Sequence, residues 1–184
     1  MSDQTKNWEI RPEQPHDAAA VAALVAKVFG PGRFAKSAYR LREGVEPEPT
    51  LSFVAIEDGI LRGSIRFWPI SVGAQPALLL GPLAVESDQR GRGIGIGLMQ
   101  RGLEKAKRLR HCAVILVGDE PYYARVGFAR LAKGSLKFPA PVDPDRILGL
   151  ALADGALEQL EGEVSRRRTE HSIAASSAPA GSHK

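Results

Sequence analysis

The segment Gln89-Arg90-Gly91-Arg92-Gly93-Ile94-Gly95 constrains this chain more than any other. It follows an apolar run, Pro76 to Val85 (PALLLGPLAV). It opens a stretch in which Leu98, Met99, Leu103, Ala106 and Leu109 share one helical face, with Arg101, Glu104, Lys105, Lys107 and Arg108 opposite. Strand, glycine-rich turn and amphipathic helix are therefore consecutive. Glycines let the backbone turn tightly and approach a ligand without Cβ atoms in the way. The first N–H groups of a helix lack intrahelical acceptors and converge on one point at its positive end. Such a turn binds an anion, and a pyrophosphate fits it.

Spacing disfavours two common phosphate loops. A P-loop ends in Gly-Lys followed by Ser or Thr, whereas Ile96-Gly97-Leu98 supplies neither the lysine nor the metal-binding hydroxyl. The dinucleotide fingerprint G-x-G-x-x-G fails because its last glycine falls on Ile96 or Leu98. Nucleotide hydrolysis and dinucleotide binding are thus set aside.

The rest of the chain frames this turn. Trp8 to Arg11 reads as a short strand, and the run after His16 as a helix with Val21, Leu24, Val25 and Val28 on one face, ended by Gly30. A shorter helix is expected over about Arg33 to Arg42. Leu51 to Glu57 and Ile60 to Ile70 read as strands joined by Asp58-Gly59, a hairpin dipeptide. Gly81-Pro82 predicts a bulge or splay in the strand Pro76 to Val85, since proline cannot complete a central ladder. Ala113 to Val117 reads as a buried strand, Pro121 to Gly127 as a short helix, and Ile147 to Leu152 as a late strand. The order implies an α/β fold with a mixed sheet and helices on its faces.

At 184 residues, 43% hydrophobic and 25% charged, the chain fits one domain, expected over 1–163. The remainder, 164–184, is read as a polar and basic tail too poor in large apolar residues to offset its ordering entropy. The single cysteine, Cys112, cannot form an intramolecular disulfide and is read as core at the start of a buried strand rather than as a nucleophile. With neither a signal-like segment nor an 18-residue apolar run, the expected setting is the cytoplasm, without a membrane partner. His16, His111, His171 and His183 are scattered, so no metal is expected. The net charge of +4 is concentrated in Arg90 to Arg110 and Arg166 to Arg168, with no stacking aromatics around the first stretch, so nucleic acid is not an expected partner.

Arg90-x-x-Gly93-x-Gly95 after Leu83-Ala84-Val85 resembles the acyl-CoA pyrophosphate loop of the GNAT acetyltransferase superfamily. Tyr122-Tyr123-Ala124-Arg125-Val126-Gly127-Phe128 resembles that family's Tyr-x-x-x-Gly-Phe signature. VGDEPYYARVGF and ILGLALADGAL look most like the bacterial YhbS-like branch. The resemblance spans roughly residues 8–160 and is strong over 79–128. It implies the GNAT fold, a central mostly antiparallel sheet with helices on both faces and a splay after the fourth strand. It also implies transfer of an acetyl group from acetyl-CoA, the donor co-substrate, to a primary amine by direct attack in a ternary complex. On that resemblance Leu83, Ala84 and Val85 hold the pantetheine arm, and Arg90, Gly91, Arg92, Gly93, Ile94 and Gly95 hold the pyrophosphate. Tyr123 is the catalytic acid, with Tyr122 packing beside it. Glu57 and Glu86 are weak candidates for a base. The acceptor would be a small-molecule or peptide amine, chosen by residues 33–50, the Asp58-Gly59 hairpin and residues 133–146. A homodimer stays open. The competing reading is a non-catalytic acyl-CoA-binding module on the same fold.

Overall fold

Asp58 and Gly59 take φ of 51° and 74°, the paired positive values that a tight two-residue hairpin requires. They fold β2 (Phe53–Glu57) back onto β3 (Ile60–Val72). The structure is a computed structural model that describes residues 7–32 and 37–167. Before the hairpin lie β1 (Glu9–Pro12), α1 (Ala18–Phe29) and α2 (Ser37–Arg40). After it come β4 (Gln75–Val85), α3 (Ile94–Arg108), β5 (Ala113–Val117) and α4 (Glu120–Tyr123). The chain closes with β6 (Ala129–Arg130), β7 (Leu136–Lys137), β8 (Ile147–Ala151) and β9 (Gly162–Arg166).

The path β1-β2-β3-β4-β5-β8-β6 is antiparallel except between β4 and β5, and β9 pairs the far end of β3 and runs parallel to β7. Successive strand residues point to opposite faces, so each strand feeds two cores. Val114 and Leu116 pack with Leu78, Leu80, Phe67 and the α3 residues Leu98, Met99 and Leu103. Ala113 and Ile115 pack on the other face with Leu79, Trp68, Ile70, Leu41 and Val164. α1 lies against β3 and β4 through buried Val21 and Leu24.

Three expectations need correction. The domain boundary after residue 163 falls inside β9, where Ser165 pairs Ser71 and buried Val164 pairs Val72. Alternation rather than a run of apolar residues makes that strand, since Val164 alone needs to face inward. Positions 168–184 of the expected tail lie outside the described residues, as do 33–36 of the expected second helix. Cys112 is exposed rather than core, because β5 begins one residue later and the Cys112 carbonyl is taken by the N–H groups of Leu152 and Ala153. Val25 and Val28, grouped by periodicity with the core face, instead line a cleft.

Candidate active site

β4 and β5 are joined only at Leu78↔Val114 and Leu79↔Ile115. Along β3, the two steps from Ile65 to Phe67 oppose three along β4, from Leu83 to Leu80, so a bulge sits at Gly81-Pro82, the latter joined by a cis peptide bond. Beyond it β4 no longer pairs with β5. The Glu86 N–H donates to the Arg62 carbonyl at 2.9 Å. Because ladder hydrogen bonds alternate by two, Ala84 also bonds toward β3, and the backbone groups of Leu83 and Val85 face the gap. The gap opens a cleft of about 1090 Å³ whose wall includes Leu83 and Val85.

One end of the cleft is the glycine turn. Gly91 and Gly93 have φ of 80° and 81°, values that Cβ-bearing residues adopt at a cost. The first intrahelical bond of α3 runs from the Gly97 N–H to the Gly93 carbonyl at 2.9 Å, so the amides of Ile94, Gly95 and Ile96 have no helical acceptor. Gln89, Arg90, Gly91, Gly93, Ile94, Gly95 and Ile96 all border the cleft. A Cβ on Gly95 would collide with the Tyr122 hydroxyl, so the glycine makes room for that phenol. Tyr122 therefore reaches the mouth of the loop and lines the cleft, which is more than the packing expected of it.

Two expected contacts lie elsewhere. Ala84 is fully buried, with its backbone turned into the β3 ladder, and does not border the cleft. Arg92 is drawn away by Glu57, to which it donates twice, at 3.0 and 2.7 Å, while also touching Gln89. That ion pair holds the Glu57 carboxyl below its ordinary pKa. Glu86 is likewise engaged, with Lys27 at 2.7 Å. Neither weak base candidate reaches the cleft. The carboxylates that do are Glu43, Asp119 and Asp143.

Tyr123 stands at the junction of the cleft with the end of β5. Asp119 and Pro121 start the short α4, and Gly127 at φ 100° ends the following turn. The Tyr123 ring meets Tyr122 and Phe128 edge-on, with centroids 5.2 and 6.2 Å away. It also fills the space that a side chain on Gly118 would occupy. Burial, reinforced by Tyr122 and Asp119, raises its phenol to about 12, so it keeps its proton at neutral pH.

Sequence reading missed Arg42 and Trp68, which form the wall near the bulge. The Trp68 indole N–H donates to the Gly81 carbonyl at 2.6 Å, and the Arg42 guanidinium lies 5.9 Å from the Trp68 ring centroid. No sequence motif marks either residue, since the splay brings them to the cleft from other segments. Of the segments expected to choose an acceptor, residues 37–43 and 141–146 contribute cleft wall and the Asp58-Gly59 hairpin does not. No group of three or more potential metal ligands occurs among the described residues, and none of their helices is long and apolar enough to cross a membrane.

Residues 18–131, covering the splay, the loop and the Tyr-x-x-x-Gly-Phe segment, match the Acetyltransferase (GNAT) family. The chain belongs to that family. It is 34% identical over 158 residues to the N-acetyltransferase YhbS of Escherichia coli K12, covering 84% of this chain and 93% of that protein. The crystal structure of Escherichia coli YhbS in complex with CoA is similar at a TM-score of 0.76 and 30% identity, covering 91% of this chain and 93% of the other. A GNAT family acetyltransferase from Brucella melitensis in complex with acetyl-CoA is similar at a TM-score of 0.65 and 26% identity, covering 89% and 97%. Within the GNAT family this chain keeps the mostly antiparallel sheet and the helices on its faces.

Proposed function

We propose that this chain transfers an acetyl group from acetyl-CoA to a primary amine by direct attack within a ternary complex. The observation that carries the reading is the continuity of one cleft. It runs from the open amides of the glycine turn, past the unpaired edge of β4, to the half-buried phenol of Tyr123. Its volume of about 1090 Å³ suits a molecule as long as an acyl-CoA together with an acceptor.

In this reading Gly91, Gly93, Ile94, Gly95 and Arg90 hold the pyrophosphate through backbone N–H groups and one guanidinium. The pantetheine arm lies along Leu83 and Val85 as an added strand, and a backbone N–H there polarises the thioester carbonyl. The neutral amine donates its lone pair to the carbonyl carbon, and the carbon–sulfur bond breaks as the tetrahedral species collapses. Tyr123 gives its proton to the departing sulfur, and the ammonium proton leaves to water in the open cleft. A phenol near 12 suits the first role, because its phenolate then recovers a proton readily at neutral pH. Ala84 serves as core and Arg92 as the anchor of the loop to β2 through Glu57.

Calorimetric titration with acetyl-CoA tests the first step. Saturable binding near about −8 kcal/mol is expected, lost in an Arg90→Ala, Gly93→Asp double variant. A folded wild type that binds no acetyl-CoA would defeat the proposal. Binding without turnover across a broad amine panel would leave a non-catalytic acyl-CoA module instead.

A further inference from the structure

Arg42 is a half-buried cation on the cleft wall that has no anionic partner among the described residues. It sits in the turn after α2, where its N–H donates to the Tyr39 carbonyl at 2.9 Å. Its Nη2 lies close against Gly81, 3.0 Å from where a Cβ would stand, at the bulge that opens the cleft. Its Nε is sealed from solvent with no hydrogen-bond partner among the described residues, and burial lowers the guanidinium to about 10. Ser37 Oγ is a second buried polar atom without a partner on the same wall. Native folds seldom strand such atoms, and a guanidinium whose Nε is sealed and unpaired is costly unless its remaining N–H groups, at the cleft, find an acceptor. The face of Trp68 offsets only part of that cost.

The other cations of the wall are accounted for. Arg66 pairs with Glu13 and Arg146 with Asp119 at 3.2 Å. Arg90 and Arg125 stay exposed toward the loop and α4. What remains on the described wall is the Arg42 guanidinium, beside the bulge, and the buried Ser37 hydroxyl.

We propose that the acceptor is a small amine carrying a carboxylate, and that Arg42 and Ser37 form the subsite that holds this carboxylate. The inference rests on the acyltransferase reading of the cleft and specifies its acceptor side. A carboxylate takes two parallel N–H bonds from a guanidinium and has lone pairs left for a hydroxyl. A phosphoryl dianion fits less well, because Glu43 and Asp143 border the same cleft and would repel a second negative charge. Those carboxylates instead favour the arriving ammonium. Arg42 and Tyr123 border the same cleft, so a carboxylate on Arg42 is held in the cavity that also receives the phenol.

The test uses the full chain, acetyl-CoA and paired acceptors: the protein amino acids plus β-alanine, each against its own carboxamide, with O-phosphoethanolamine against ethanolamine. Released CoA thiol gives the rates, and acetyl-CoA titration runs alongside. The expected result is at least one amino acid preferred over its amide by about 30-fold or more in kcat/KM. Arg42→Gln should collapse that preference by raising the acceptor KM, with acetyl-CoA affinity unchanged, and Arg42→Lys should recover part of it. In thermal melts the preferred amino acid should stabilise wild type but not Arg42→Met, a variant that keeps bulk while removing the stranded charge. Equal use of acids and amides overturns the proposal, as does a preference that survives in Arg42→Gln, or transfer to phosphoethanolamine alone. An equal fall of kcat for acids and amides in Arg42→Gln would place Arg42 at the thioester oxygen and overturn it too. Failure of wild type to bind acetyl-CoA is a separate outcome that removes the acyltransferase reading beneath it.

Discussion

Tyr123→Phe isolates a single proton. The variant keeps the ring that packs edge-on against Phe128 and Tyr122 and deletes only the hydroxyl. No other described residue hydrogen-bonds to that hydroxyl, so the deletion strands no partner, and stability should change by less than about 1 kcal/mol. Turnover should fall by about 10²- to 10⁴-fold, the range for loss of a positioned general acid, with acetyl-CoA affinity unchanged. The pH dependence follows from burial. An ordinary phenol is about half ionised at pH 10, whereas one at about 12 is still about 99% protonated there. Wild-type kcat should therefore rise as the amine loses its proton and hold past pH 10, declining only as pH approaches 12. Stopped assays of CoA thiol release between pH 7 and 11, with both proteins, measure this. An acetyl donor whose thiol is far more acidic than CoA needs no proton on leaving and should restore most of the variant's rate. Turnover of Tyr123→Phe within about threefold of wild type on acetyl-CoA would refute the assignment.

Three further outcomes are expected. Arg92→Ala should lower the melting temperature by freeing the loop from Glu57 yet leave acetyl-CoA affinity within about twofold, as measured by calorimetry. Asp17→Asn should cost about 1.5–3 kcal/mol at pH 7 in urea unfolding, because buried Asp17 accepts two N–H bonds from Arg11 and one from Gln14. The Arg11 hydrogen bonds chiefly hold its carboxyl at about 2, below the unfolded value, so this stability is present above about pH 4 and the gap between the two proteins should close as pH falls toward 2. Val164→Asp should destabilise by about 3–5 kcal/mol in the same assay, since it buries an unpaired charge where β9 seals the second core.

The chain of residues itself determined what is local. Asp58-Gly59 made its hairpin because only positive φ closes a two-residue turn. The strand, loop and helix around Gln89 to Gly95 followed from apolar period and glycine, and Gly81-Pro82 placed the bulge because proline cannot complete a ladder. Those signals lie within a few residues of the structure they cause. What only the tertiary structure decided depends on partners distant in the chain. Arg90 and Arg92 look equivalent in the loop, but Glu57, brought over by the hairpin, takes Arg92 and leaves Arg90 at the cleft. The closing strand at Val164 was hidden because a strand that turns one large apolar residue inward leaves little trace in the apolar pattern. Arg42 reads as one more surface cation until the splay of β4, the face of Trp68 and the bulge at Gly81 surround it, since burial and the lack of a counter-ion belong to packing and not to any run of residues.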